Sequence, residues 1–306
     1  MKPPTPPARP GRREKLERSL LAHAGKAIHD WTLIEDGDRI LVGMSGGKDS
    51  FVLMWLLGLL QKRAPVKFEL LGVNLDQGHP GFRQGLIADW LCANGFRGHM
   101  LREDTRSIVL SKIPAGKTTC PLCSRLRRGI LYDAAAQLGC TKIALGHHRD
   151  DVIETLLLNL FFAGQLKAMP AKLTSDDGRN TVIRPLAYAP EEEVAEFSEL
   201  MRFPVQPCDL CGSQEDLQRK KLKALLVELQ RENPHLKSSL LNALSNVRPT
   251  HLLDPRLRKD GPRSEGGTEP EPARPLLPIV SGMPIPFADL EPVDRRDKPP
   301  PYECER

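Results

Sequence analysis

Ser45-Gly46-Gly47-Lys48-Asp49-Ser50 decides how the rest of this chain is read. Ahead of it, Arg39-Ile40-Leu41-Val42-Gly43-Met44 is a short apolar run ending at a turn, which reads as a buried parallel strand. Behind it, the run from Phe51 to Leu60 is long enough for a helix docked on a sheet. A strand, a Ser/Gly turn and a helix start make an anion site. Glycines allow close backbone approach, and the first helical N–H groups have no partner of their own. Aligned peptide dipoles add positive potential at the same place. Ser45 and Ser50 offer hydroxyl donors, and Lys48 a full charge.

The Walker spacing G-x-x-x-x-G-K-[ST] is absent. In every defined position the stretch instead resembles the SGGxDS pattern of the PP-loop ATP pyrophosphatases. That resemblance implies ATP held by Ser45, Gly46, Gly47, Lys48, Asp49 and Ser50. It also implies adenylation of a substrate oxygen with release of pyrophosphate. Asp49 beside phosphates would repel them unless a cation intervened, so Mg²⁺ is expected there.

At 306 residues the chain holds one large or two small domains, and 40% hydrophobic residues suffice for a core. No apolar stretch is long enough to span a bilayer, and Met1-Lys2-Pro3-Pro4 does not open a secretory signal. The expectation is a cytoplasmic protein with no membrane partner. A net charge of +5 is mild, but the residues from Pro255 onward are nearly balanced, so the excess lies in the body of the chain. It gathers at Arg125-Leu126-Arg127-Arg128 and Arg219-Lys220-Lys221-Leu222-Lys223, which suit a phosphate backbone or serve as plain solvated helix faces.

Taken in order, residues 1–14 form a proline-rich N-terminus, and a helix is expected from about Lys15 to Asp30. Further strands are expected at Phe68–Leu75, near His99–Leu101, at Lys142–Leu145 and at Asn180–Leu186. Helices are expected over Phe82–Asn94, from Cys120 to a stop at Gly139, over Val152–Leu160 and over Glu191–Met201. Two more cover Glu215–Glu232 and His235–Asn246. Strands alternating with helices predict an α/β, doubly wound parallel sheet with a small C-terminal helical extension. One domain is expected over residues 15–254, followed by a Pro-rich disordered tail over 255–306. Ligands in such sheets sit beyond the carboxyl ends of the strands, where both Ser45–Ser50 and Gly146-His147-His148-Arg149-Asp150-Asp151 lie.

Seven cysteines in such a chain argue for metal or catalysis before disulfides. Cys92 and Cys140 read as small core residues. Cys120/Cys123 and Cys208/Cys211 are two Cys-x-x-Cys pairs from distant parts of the sequence. Their chemistry fits tetrahedral zinc, an iron–sulfur cluster, or a thiol pair for redox or sulfur transfer.

Three segments narrow that choice. They are Gly116-Lys117-Thr118-Thr119-Cys120-Pro121-Leu122-Cys123-Ser124-Arg125-Leu126-Arg127-Arg128-Gly129, Gly146–Asp151, and Pro207-Cys208-Asp209-Leu210-Cys211-Gly212-Ser213-Gln214. Together, over about Lys15 to Asp254, they resemble the tRNA 2-thiocytidine synthetases, a branch of the PP-loop enzymes with an adenine nucleotide alpha hydrolase-like fold. The resemblance implies a [4Fe-4S] cluster on Cys120, Cys123 and Cys211 with one iron left open, Cys208 being a further cysteine of the pattern. It implies Asp49 and Asp151 in catalysis, and His147, His148 and Asp150 at phosphate or Mg²⁺; a carboxylate there could equally cap the helix that follows. It implies ATP-dependent 2-thiolation of cytidine 32 in the anticodon loop of tRNA. The partners are then tRNA and a sulfur donor such as a cysteine desulfurase, with a homodimer as candidate assembly. The competing readings are a PP-loop uridine thiolase, a lysidine-synthetase-like modifier, and a zinc-stapled RNA-binding protein without catalysis.

Overall fold

The computed structural model describes residues 11–113, 120–175, 177–206 and 217–257. Six strands, β1 (Arg39–Gly43), β2 (Glu69–Asp76), β3 (Arg97–Arg102), β4 (Lys142–Ala144), β5 (Lys172–Thr174) and β6 (Thr181–Ile183), form one sheet. Their order is β3-β2-β1-β4-β6-β5, all parallel except β5, which runs antiparallel to β6 at the edge. The doubly wound α/β expectation holds. The added antiparallel strand was not foreseen, because Lys172-Leu173-Thr174 is three residues long, largely solvent-facing and without an apolar run.

The helices are α1 (Arg12–Trp31), α2 (Lys48–Gln61), α3 (Gln84–Ala93), α4 (Thr105–Lys112), α5 (Cys120–Gln137), α6 (Arg149–Leu158), α7 (Glu191–Met201), α8 (Leu217–Glu232) and α9 (Leu236–Ser245). α6 continues into a π-helical turn at Asn159–Ala163. The unanticipated α4 is capped by Asp104, whose side chain accepts from the Ser107 N–H at 3.0 Å. None of the described helices is long and apolar enough to cross a membrane.

Central strands of a parallel sheet are covered on both faces and so read as continuous apolar runs. Ile40, Leu41 and Val42 of β1 are fully buried. On one face Leu41, Leu71, Val73, Ile143 and Val182 pack with Ala134 and Ala135 of α5. On the other lies α2, whose Phe51, Val52, Leu53, Met54, Leu56 and Leu57 are all buried because α1 and α7 cover its outer side. Phe51 stacks on Phe203 at 5.7 Å and meets Trp90 edge-on at 5.0 Å, joining α2, α3 and the segment after α7. Cys140 is half-buried against the α5 face, and burial pushes its thiol up. Cys92 on α3 is half-buried and disulfide-bonded, unlike the packed thiol expected from the sequence.

The chain divides into two compact units. The first holds the sheet, up to Val152 and again from Met169 to Lys220. Among the described residues, the second comprises Ile153–Ala168 and residues 221–257. Its own core joins Ile153 and Leu157 to Leu222 and Leu226, with Leu236 and Leu240 packed against them.

Within the sheet, β1 leads outward through β2 to β3, and the chain then returns to place β4 on the other side of β1. Strand order therefore reverses between β1 and β4, the kind of place beyond whose carboxyl ends open α/β sheets bind their ligands.

Candidate active site

The two loops at that reversal are the two that the sequence singles out. Ser45–Ser50 leaves β1 and Gly146–Asp151 leaves β4, and the strands are direct neighbours through Ile40–Lys142, Leu41–Ile143 and Val42–Ala144. Their approach is so close that a Cβ on Gly146 would stand 2.9 Å from the backbone carbonyl of Asp49 and 3.1 Å from the Ser50 nitrogen. Only glycine fits there.

Gly46 turns the first loop with φ +84°, a conformation open chiefly to glycine. Gly47 is the N-cap of α2 and supplies no capping side chain, so the helix start remains available to an anion. The Ser45 hydroxyl oxygen accepts from the Gly47 N–H at 3.2 Å, and the Ser50 hydroxyl donates to the Gly47 carbonyl at 2.8 Å. Both serines thus hold the loop's shape. The Lys48 ammonium stands 3.1 Å from Asp49 Oδ1 and 3.5 Å from Glu191 Oε1. Burial works to lower the Lys48 pKa, but the two carboxylates outweigh it and the pKa is raised, so the ammonium stays charged.

Asp49 Oδ1 is buried and makes no hydrogen bond. Its neighbours are the Lys48 ammonium and, at 3.8 Å, Nε2 of the buried His148. His148 Nε2 is equally far from Glu191 Oε1. A desolvated carboxylate oxygen in this setting fits a divalent cation, which takes one or two protein carboxylates and completes its shell with phosphate oxygens and water. Among the described residues no three His, Cys, Asp or Glu side chains form a metal cage.

The second loop divides its labour. The Asp151 carboxylate turns back to accept from the His148 N–H at 3.0 Å, while the Asp151 N–H reaches His148 Nδ1 at 3.4 Å. Asp150 is buried and accepts from the Glu191 N–H at 2.9 Å, so it anchors the start of α7. His147 Nδ1 accepts from Arg184 Nε at 3.2 Å, and Arg184 also donates to the Pro170 carbonyl at 2.6 Å. Burial, then the Arg184 charge, lowers His147 to about 4. His147 is thus neutral near pH 7, with Nδ1 engaged and the proton left on Nε2.

Gln206, which sequence reasoning passed over although it directly precedes Pro207-Cys208, ties parts of this region together. Its backbone N–H donates to the Gly46 carbonyl at 2.9 Å. Its buried amide accepts from the Arg83 N–H at 2.8 Å and donates to the Arg83 carbonyl at 3.1 Å. The chain entering the second cysteine pair is therefore clamped to the Ser45–Ser50 loop and to the start of α3. Glu191, beside Lys48 and His148, was read only as a helix start. Its role depends on the folding of α7 against α2, which no local motif reveals.

Cys120 and Cys123 lie on the first turn of α5, three residues apart. The Cys123 thiol is half-buried and donates to Gln77 Oε1 at 3.2 Å, just past the carboxyl end of β2. One thiol of the expected set thus stands at the same end of the sheet as the Ser45–Ser50 loop. Cys208 and Cys211 fall outside the described residues.

No family profile matches the chain. Curated proteins do. It is 59% identical to the tRNA-cytidine(32) 2-sulfurtransferase of Anaeromyxobacter sp. (strain Fw109-5), over 80% of this chain and 81% of that protein. It is 54% identical to the protein of the same name from Sorangium cellulosum (strain So ce56), over 87% of this chain and 97% of that one. Among solved structures, the U34-tRNA thiolase NcsA from Methanococcus maripaludis, with its [4Fe-4S] cluster, aligns at a TM-score of 0.61 over 76% of this chain and 79% of that chain. At 22% identity that likeness bears on the fold.

Proposed function

The chain belongs to the tRNA-cytidine(32) 2-sulfurtransferase family, and from that premise we propose how its crevice carries the reaction. The enzyme uses ATP to adenylate O2 of cytidine 32 in tRNA with release of pyrophosphate. A sulfur nucleophile then attacks carbon 2 and expels AMP, leaving 2-thiocytidine. The observation that carries this reading is the junction of the two loops at the strand reversal, with Gly146 pressed against Asp49.

The uncapped start of α2 and the Lys48 ammonium receive the phosphates. Ser45 and Ser50 hold the loop in register, and the Gln206 clamp fixes Gly46 from behind. Asp49, through its buried oxygen, would hold the Mg²⁺ that accompanies the nucleotide, and the ion would supply charge neutralisation for the pyrophosphate. Asp151 orients His148 toward Asp49, and Asp150 sets the start of α7 so that Glu191 faces Lys48. His147, neutral with an Nε2–H, is a hydrogen-bond donor to phosphate or to the cytidine rather than a cation ligand.

The cysteine chemistry fits an iron–sulfur cluster, since thiolates are the ligands such clusters take. Cys120, Cys123 and Cys211 would hold it. When bound, it would supply iron able to bind the sulfur that is transferred. The cluster recorded in the archaeal thiolase supports this reading, as does the half-buried Cys123 at the end of β2. A cysteine desulfurase as sulfur donor, a homodimer and a cytoplasmic location complete the proposal.

The test is reconstitution under anaerobic conditions with ATP, Mg²⁺, a sulfide source and a tRNA transcript, followed by nucleoside mass spectrometry. Formation of 2-thiocytidine at position 32, together with bound iron and sulfide, is the expected result. Stoichiometric zinc in their place, lost on replacing the cysteines, would remove the sulfur-carrying step. Cys211→Ala should lose the cluster while Cys208→Ala keeps it; the reverse pattern would exchange the two assignments.

A further inference from the structure

The second unit displays aromatic rings to solvent. Leu160, Phe161, Phe162 and Leu166 are 45%, 54%, 49% and 61% exposed, all within the nine residues Asn159–Lys167. A loose loop would collapse such side chains onto the nearest apolar surface. This segment is instead tied at both ends through one residue. The Asn159 carbonyl accepts from the Gln165 N–H at 3.0 Å, and its side-chain amide donates to the Lys167 carbonyl at 2.8 Å. Gly164, in the left-handed region at φ +61°, closes the π-helical turn between them. Such turns interrupt helices mainly at functional places, and concentrated exposed apolar surface marks an interaction site.

Charge indicates the kind of partner. From Thr155 to Ser175 the chain has no acidic residue, while Lys167 is exposed at the closing end of the turn. The described residues of this unit carry seven Lys and Arg against four Asp and Glu. A second copy would bring like charge to this face; a polyanion would bring opposite charge. An unpaired base in an RNA loop can be splayed out of its stack, which costs it its stacking partners. Protein aromatic faces replace the lost stacking without regard to sequence.

We propose that the Asn159–Lys167 turn is an RNA-docking element, in which Phe161 and Phe162 stack on unpaired bases of the substrate tRNA and Lys167 meets a neighbouring phosphate. The proposal rests on tRNA being the substrate, as argued above.

The experiment uses the full chain and an unmodified tRNA transcript, with affinity measured across a salt series and thiolation followed in parallel. Phe161→Ala/Phe162→Ala should weaken binding about tenfold or more with an unchanged salt slope, since no charge is removed. Phe161→Leu/Phe162→Leu, which keeps apolar bulk and loses the ring face, should fail like alanine, whereas Phe161→Trp/Phe162→Tyr should bind like the parent. Lys167→Ala should instead lower the salt slope by about one. Circular dichroism and sedimentation of each variant accompany these measurements. Parental affinity and thiolation in the alanine variant overturn the docking element and leave the enzyme assignment intact. So does rescue by leucine, which marks a plain apolar contact, and so does loss of binding that tracks dissociation of a dimer, which marks a surface between copies. A parent protein that binds no tRNA overturns the function reading itself, and the docking element with it.

Discussion

The two ends of the same sheet both concentrate charge, and they use it in opposite ways. At the amino ends, the buried Lys142 ammonium meets Asp38 at 2.7 Å and Glu35 at 2.6 Å. Asp38 also accepts from the Thr141 hydroxyl and the Glu35 N–H, both at 2.7 Å. Burial alone would raise the Asp38 pKa, but these partners hold it below the usual carboxylate range. Charges here are completed by the protein itself. At the carboxyl ends, Asp49 Oδ1 is buried without a hydrogen bond, and His148 Nε2 stands 3.8 Å from both Asp49 and Glu191. Completed charge stabilises a fold, whereas incompletely solvated charge is an arrangement that a ligand can complete.

If that contrast is right, Asp49→Asn should bring the largest change and bring it in catalysis alone. Thiolation should fall at least a hundredfold, about what loss of one preorganised electrostatic group costs, while the melting temperature stays or rises. Parental activity in this variant would remove the carboxyl end from the chemistry. Lys142→Met is the mirror experiment. It strands a buried Asp38, so urea denaturation should show a loss of about 3–5 kcal/mol, with the surviving folded enzyme still thiolating. A loss below about 1 kcal/mol would show that water reaches this network.

Stability against pH should separate the two ends again. The folded His147 resists protonation down to about 4, while an unfolded histidine takes a proton near 6.5. Stability should therefore decline as pH falls from about 6.5 toward 4, and His147→Gln should flatten that decline. The Asp38 contribution, belonging to a depressed carboxyl, is present above the ordinary carboxylate range and disappears only as pH falls through its lowered pKa. A decline in the upper window that survives in His147→Gln would assign it to another group. The smallest effect is expected outside both ends. Deleting the segment from Pro255 to Arg306, rich in proline and nearly balanced in charge, should change activity less than tenfold, about 1.4 kcal/mol in barrier. Complete loss would reveal a structured element there.

Much of this was legible along the chain because the deciding signals are local. Ile40–Val42 is continuous apolar sequence, as a strand covered on both faces must be, and Gly46 and Gly47 announce the turn before α2. Glu191–Met201 was bounded correctly from its acidic start and apolar spacing alone. β5 was not, since it exists only because β6 leaves an edge to pair with. Gln206 gave no signal of its own kind, since a glutamine ahead of a proline looks like any loop residue.

The sequence by itself determined the class of sheet, the glycine turn between β1 and α2, and the residue types from which the proposed site is assembled. These follow from periodicity, turn chemistry and ligand chemistry, all of which act within a few residues. The tertiary structure decided which residues meet. It put Glu191 beside Lys48, turned Asp150 to the start of α7 and Asp151 back to His148, and fastened Gln206 to Gly46 and Arg83. Those pairings span up to 160 residues of chain, and only the packing of helices on a reversed strand order brings such distant groups within hydrogen-bonding range.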